Sequence, residues 1–208
     1  MDRRSRLIID ACLNAPGAIL HIGCGDPGCS MDSQEWLHRH IYRASRFHVV
    51  GVDVNRDRVA EMLRAGYDVI HSSAYTVMSL FLEGRKFSLI IMGEVIEHLG
   101  SPSEALSVAR TLLADDGKII LTTPNPFAAT HALWFWLSGG REHHGDEHVL
   151  WESPRTMRSL CRSVGLKVEK VYFCAYGFQR RKWWAHGLAL LELIPWLRQT
   201  VEYEIVRD

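Results

Sequence analysis

No run of about 18 consecutive apolar residues, the length a membrane-spanning helix needs, occurs in the 208 residues. The nearest approach, residues 183–197 (WWAHGLALLELIPWL), is interrupted by His186, Glu192 and Pro195 and reads as an amphipathic or buried element. At the basic N-terminus Asp10, Asn14 and Pro16 break up the apolar residues before an export-signal core forms, so a cytoplasmic protein is expected. Paired CxxC motifs are absent. The five cysteines are odd in number and scattered, which excludes a disulfide framework and a cysteine-ligated zinc site. Neither sign of charge is in excess, with 24 Lys+Arg against 24 Asp+Glu, so nothing advertises a nucleic-acid partner. There is no internal repeat or low-complexity tract, and the length suits one domain spanning residues 1–208.

What is present is an alternation of short apolar runs with helical patterns, the signature of a mostly parallel sheet covered by helices on both faces. Strands are expected at residues 18–22 (AILHI), 47–52 (FHVVGV), 68–70, 87–92 (FSLIIM), 118–122 (KIILT), 166–175 and, by period-two alternation, 201–206 (VEYEIV). That makes a seven-stranded α/β sheet of Rossmann-like type, with the last strand a candidate for antiparallel insertion. Asn55 is placed to cap a helix carrying Val59, Met62 and Leu63, and Pro102 and Pro154 each suit the first turn of another. Residues 33–44 are helix-like, and Asp115-Asp116-Gly117 reads as a turn.

The first strand runs into Gly23-Cys24-Gly25-Asp26-Pro27-Gly28. Glycines there permit a tight turn and close approach of a ligand to the backbone. Asp53 ends the second strand in GVDVN, where a carboxylate can accept hydrogen bonds from ribose hydroxyls. Together these predict a nucleoside-containing ligand but leave a nicotinamide oxidoreductase open.

The segment FSLIIMGEVIEHLGSPSEALSVARTLLADDGKIILTTPNP resembles class I S-adenosylmethionine-dependent methyltransferases, with a likeness extending over residues 18–173. It is most similar to the branch that holds ubiquinone-biosynthesis O-methyltransferases and bacterial enzymes encoded beside glycan genes. The resemblance implies that Gly23, Cys24 and Gly25 line the methionine end of S-adenosyl-L-methionine and that Asp53 holds its ribose. Val54 is then expected to flank the adenine, Ser73 and Ala74 to contact its ring and amino group, and Gly93 and Glu94 to form the floor. Three positions depart from the family pattern: His21 stands where an acid usually orients the methionine amino group, Pro27 displaces the third glycine, and Ser88 replaces a frequent aspartate.

Methyl transfer to a hydroxyl needs in-line alignment and removal of a proton. Glu94, Glu97 and His98, at i, i+3 and i+4, would share one face of a helical turn, with His98 the natural base and Glu97 beside it. The same residues with His148, from the REHHGDEH segment that also holds His143 and His144, form a candidate site for Mg²⁺, Mn²⁺ or Zn²⁺. At EVIEH the chain is similar to metal-assisted small-RNA 2′-O-methyltransferases and some quinone O-methyltransferases, although RNA is the less expected acceptor. The expected activity is O-methylation of a small molecule, quinone precursor or glycan; a noncatalytic cofactor-binding module on a degenerate methyltransferase fold is the alternative. Trp134, Phe135 and Trp136 are candidates for an acceptor pocket, and Trp183 and Trp184, after Arg180-Arg181-Lys182, for peripheral contact with a membrane or lipid-linked acceptor.

Overall fold

The computed structural model describes residues 2–26, 28–76, 84–141, 147–175 and 193–208. The apolar runs become strands β1 (Ile19–Ile22), β2 (Val49–Asp53), β3 (Val69–His71), β4 (Phe87–Gly93), β5 (Leu113–Pro124), β6 (Leu166–Cys174) and β7 (Thr200–Arg207). They form a seven-stranded sheet in the order β3-β2-β1-β4-β5-β7-β6. The first five strands are parallel to one another, and β7 slots between β5 and β6 antiparallel to both. The reversal of strand order beside β1 and β4 opens a crevice at their carboxyl ends, where α/β sheets bind ligands.

Alternate residues of the central strands feed two cores, as a pleated strand covered on both faces requires. Ile19, Val49, Leu89, Ile91 and Ile120 pack with Ile8 of helix α1 (Arg3–Leu13) and with Leu37 and Ile41 of α2 (Leu37–Ala44). Leu20, Val50, Ile90 and Leu121 face the other way, against Leu106 of α4 (Pro102–Leu112) and Met157 of α6 (Pro154–Ser163). Helix α3 (Arg56–Arg64) starts as expected, its Asn55 side chain accepting from Arg58 N. Ser153 and Thr156 close a capping box ahead of α6. Among the described residues no helix is long and apolar enough to cross a membrane.

Two local expectations change. Phe87 pairs with Leu113 and Leu89 with Lys118, so residues 114–117 form a bulge within an extended β5 instead of a free turn. Gly117 permits this, because a Cβ there would meet Phe87 O at 2.9 Å. The helix-like segment 33–44 is helical only from Leu37; before it, Trp36 turns inward and is fully buried.

Candidate active site

The loop after β1 is shaped by two glycines that tolerate no side chain. Gly23 has φ +77, and a Cβ on it would lie 2.4 Å from Val95 Cγ2. A Cβ on Gly25 would lie 2.8 Å from Asp53 Oδ2, so the loop is pressed against the end of β2. It is held there on three sides. Gly25 N donates to Asp53 Oδ2 (2.7 Å), Trp36 Nε1 donates to Cys24 O (2.9 Å), and Arg58 donates through Nε to Gly25 O (2.8 Å) and through Nη2 to Cys29 O (2.7 Å). The Cys24 side chain is buried, and burial, followed by the Asp53 charge, pushes its thiol far above the ordinary range. It packs as an apolar group and is no nucleophile.

Beneath the loop lies a cavity of about 640 Å³, within the roughly 300–1,000 Å³ typical of small-ligand sites. His21, Gly23 and Cys24 line it from β1, Asp53 and Val54 from β2, Ser73 and Ala74 from the turn after β3, and Gly93 and Glu94 from β4. Gly25 is not on the wall; its backbone serves the loop through Asp53. Asp53 Oδ1 accepts from Asn55 N (2.8 Å), so each carboxylate oxygen has one backbone donor and a lone pair to spare.

At the floor, Glu94 has φ +54, a left-handed conformation that is strained for a residue with a side chain. Its N–H donates to Thr122 O (3.0 Å); its Oε1 accepts from Thr122 Oγ1 (3.0 Å) and pairs with Arg4 Nη1 (3.2 Å). The helical turn expected to align Glu94, Glu97 and His98 is therefore only a 3₁₀ turn over Ile96–His98, and the left-handed Glu94 stands outside it.

Glu97 is buried, at 1% exposure. Its Oε2 accepts from Thr123 Oγ1 (3.1 Å), and its Oε1 has no hydrogen-bond partner among the described residues. Burial first and the Glu94 charge second push its carboxyl up to about 8. His98 lines the cavity, and its Nδ1 lies 3.0 Å from Glu147 O. A carbonyl only accepts, so Nδ1 carries the proton and a neutral His98 keeps its lone pair on Nε2. His148 meets His98 edge to face at 4.7 Å between ring centres, and burial, then His98, lowers its pKa. Glu97, His98 and His148 thus each offer a ligand atom within 4.8 Å of the others.

Of the two family departures among the described residues, His21 is on the cavity wall and Ser88 is not. Ser88 is near the start of β4, its Oγ donating to Ala18 O (3.3 Å), at the opposite end of the strand from Gly93. Pro27, His143, His144 and residues 180–184 lie outside the described residues. Trp134, Phe135 and Trp136 sit on α5 (Ala129–Leu137), which buries none of its residues, and do not line the cavity. Two wall residues, Arg4 and His38, had no motif to mark them. Arg4 belongs to a basic N-terminal stretch, and His38 adjoins the apolar stripe Leu37 and Ile41.

Comparison with solved structures gives an S-adenosylmethionine-dependent methyltransferase from Archaeoglobus fulgidus at TM-score 0.68 and 17% identity, covering 99% of this chain and 91% of that one. The plantazolicin methyltransferase BamL, solved with a triazolic desmethylPZN analogue and S-adenosylhomocysteine, aligns at TM-score 0.64 and 14% identity over 98% of this chain and 84% of its own. The N-methyltransferase NodS from Bradyrhizobium japonicum, solved with S-adenosylhomocysteine, aligns at TM-score 0.61 and 14% identity, covering 99% and 86%. Comparison with the curated proteins returns no match. The family model described as a methyltransferase domain matches residues 1–171, and the chain, built on the fold of class I S-adenosylmethionine-dependent methyltransferases, belongs to that family.

Proposed function

We propose that this methyltransferase takes its methyl group from S-adenosylmethionine and places it on a hydroxyl oxygen of a small-molecule acceptor of the quinone-precursor or glycan class. The observation that carries the oxygen assignment is His98, a cavity-lining imidazole whose Nδ1 is tied to the Glu147 carbonyl so that Nε2 is left as the proton acceptor. The donor supplies a methyl group activated on a sulfonium. The loop fits such a molecule: Gly23 and Gly25 leave the backbone bare, and Asp53 keeps lone pairs for ribose hydroxyls. The S-adenosylhomocysteine named with BamL and NodS supports the same ligand here. His98 Nε2 then accepts the hydroxyl hydrogen, leaving an oxygen lone pair directed at the methyl group, and receives the proton as the oxygen–carbon bond forms and the carbon–sulfur bond breaks.

A second reading is favoured by the buried Glu97 Oε1, which has no hydrogen-bond partner among the described residues. A buried carboxylate facing two imidazoles is a donor set suited to a divalent cation, Zn²⁺ or Mn²⁺ before Mg²⁺, which would polarise the acceptor hydroxyl. Glu94, whose Oε1 is held by Arg4 and Thr122, lies outside that set.

The test is methyl transfer to matched panels of phenols, sugar hydroxyls and their amino counterparts, with the product's methylated atom read by NMR. His98→Gln is expected to lower turnover by roughly 10²–10⁴-fold and to leave S-adenosylhomocysteine affinity unchanged. An N-methyl product would overturn the oxygen assignment. Full activity after exhaustive chelation would remove the cation.

A further inference from the structure

His21 shares the sheet face of Ile19, beneath α1 and α2, and ends that face at the cavity. There it meets His38 of α2. The two rings lie edge to edge and nearly coplanar, 5.2 Å between centres with 19° between planes, and their Nδ1 atoms are 3.0 Å apart. His21 is 3% exposed and His38 fully buried, and both line the cavity.

Two nitrogens at that distance must hold one proton between them. Burial keeps both rings neutral, lowering His38 to about 4 and His21 well below its ordinary value, the latter also under the influence of His38 and Arg4. A neutral imidazole has one N–H and one lone pair, so the pair has two arrangements. In one, His38 donates and His21 turns an N–H toward the cavity. In the other, His21 donates and turns a lone pair.

The surroundings of His38 choose between them. Its Nε2 has no hydrogen-bond partner among the described residues, and its ring is flanked by Trp36 (5.6 Å, 43°) and Tyr67 (5.5 Å, 56°). Aromatic rings can receive an N–H weakly on their faces, and with no polar donor beside it a lone pair there has no partner. Nε2 of His38 therefore carries the hydrogen, its Nδ1 accepts from His21 Nδ1–H, and Nε2 of His21 is left as an acceptor.

We propose that His38 is a positioning residue that locks His21 in the Nδ1–H tautomer, so that His21 Nε2 accepts a hydrogen bond from the α-ammonium of the methyl donor's amino-acid end. This rests on the S-adenosylmethionine reading above. With Asp53 and Ser73 taking the nucleoside, Gly23, His21 and Arg4 are among the wall residues left for that amino-acid end. The Arg4 guanidinium suits the ligand carboxylate, whereas the ammonium needs an acceptor. Glu94, the carboxylate that Arg4 reaches, has Oε1 engaged by Arg4 and Thr122. A neutral imidazole of fixed tautomer supplies that acceptor and adds no further charge beside Glu94.

Calorimetry with S-adenosylhomocysteine and with 5′-methylthioadenosine, which lacks the amino-acid end, tests this in the full chain. His38→Phe keeps the ring and removes its nitrogens. His38→Asn keeps an acceptor near the Nδ1 position. A hydrogen bond to a charged group predicts about tenfold weaker S-adenosylhomocysteine binding in His38→Phe, recovery to within about twofold in His38→Asn, and unchanged 5′-methylthioadenosine binding in both. Long-range ¹H–¹⁵N NMR of the unsubstituted protein should show His21 protonated on Nδ1, and this measurement stands even where His38→Phe does not fold. His21 protonated on Nε2, or equal losses for the two ligands, overturns the proposal. No S-adenosylhomocysteine binding by the unsubstituted protein would instead overturn the methyl-donor reading beneath it.

Discussion

Gly23→Ala perturbs the cofactor loop at the point where its geometry is most constrained. Two costs are separable. An L-residue at φ +77 carries a left-handed penalty of about 1–2 kcal/mol. The new methyl would also lie 2.4 Å from Val95 Cγ2, and forcing a methyl into packed space costs about 1–3 kcal/mol. Their sum, about 2–5 kcal/mol, is a large part of the roughly 5–15 kcal/mol that holds a domain folded. Val95→Ala in the same chain removes the collision and leaves the backbone penalty. Urea unfolding of the two single variants and the double variant should therefore give a double variant more stable than additivity predicts by about 1–3 kcal/mol. S-adenosylhomocysteine affinity should fall in Gly23→Ala and be partly recovered in the double variant as the loop settles back. Strict additivity would refute the reasoning, since it would mean that Val95 does not back the loop.

Asp53→Asn keeps an oxygen for one backbone N–H, turns an NH2 group toward the other and loses the charge, so S-adenosylhomocysteine binding by calorimetry should weaken roughly 10–100-fold and stability should fall by about 1–3 kcal/mol. Unchanged affinity would free Asp53 from the ribose. Glu202 of β7 is fully buried with neither carboxylate oxygen hydrogen-bonded to a described residue, and burial, then the Glu204 charge, raises it from 4.5 to about 8. Because the folded value is the higher one, its contribution to stability is intact below the unfolded value and is lost as pH rises from about 4.5 to about 8. The loss runs at about 1.4 kcal/mol per pH unit and reaches about 3 kcal/mol at pH 7. Glu202→Gln should flatten the decline in urea midpoint across that window; parallel pH profiles would show Glu202 ionised in the folded protein, held by Arg3 and Arg4.

The strands and the outline of the site were legible because their signals are local. A buried parallel strand needs a continuous apolar run, as in FSLIIM; a glycine loop must directly follow its strand; a cap such as Asn55 must adjoin its helix. The family resemblance around EVIEH added residues after β3 and β4 that line the same cavity. What the chain's linear order did not carry is how distant segments meet. The spacing of Glu94, Glu97 and His98 suggested one helical face, but the left-handed backbone at Glu94 and its bonds to Thr122 and Arg4 divide that set. The insertion of β7 between β5 and β6 settles which strand buries Glu202. Arg4 and His38 reach the cavity only because α1 and α2 pack over β1. Periodicity reports what one segment prefers; the contact of His38 with His21, 17 residues apart, exists only once helix and sheet bury their apolar faces against each other.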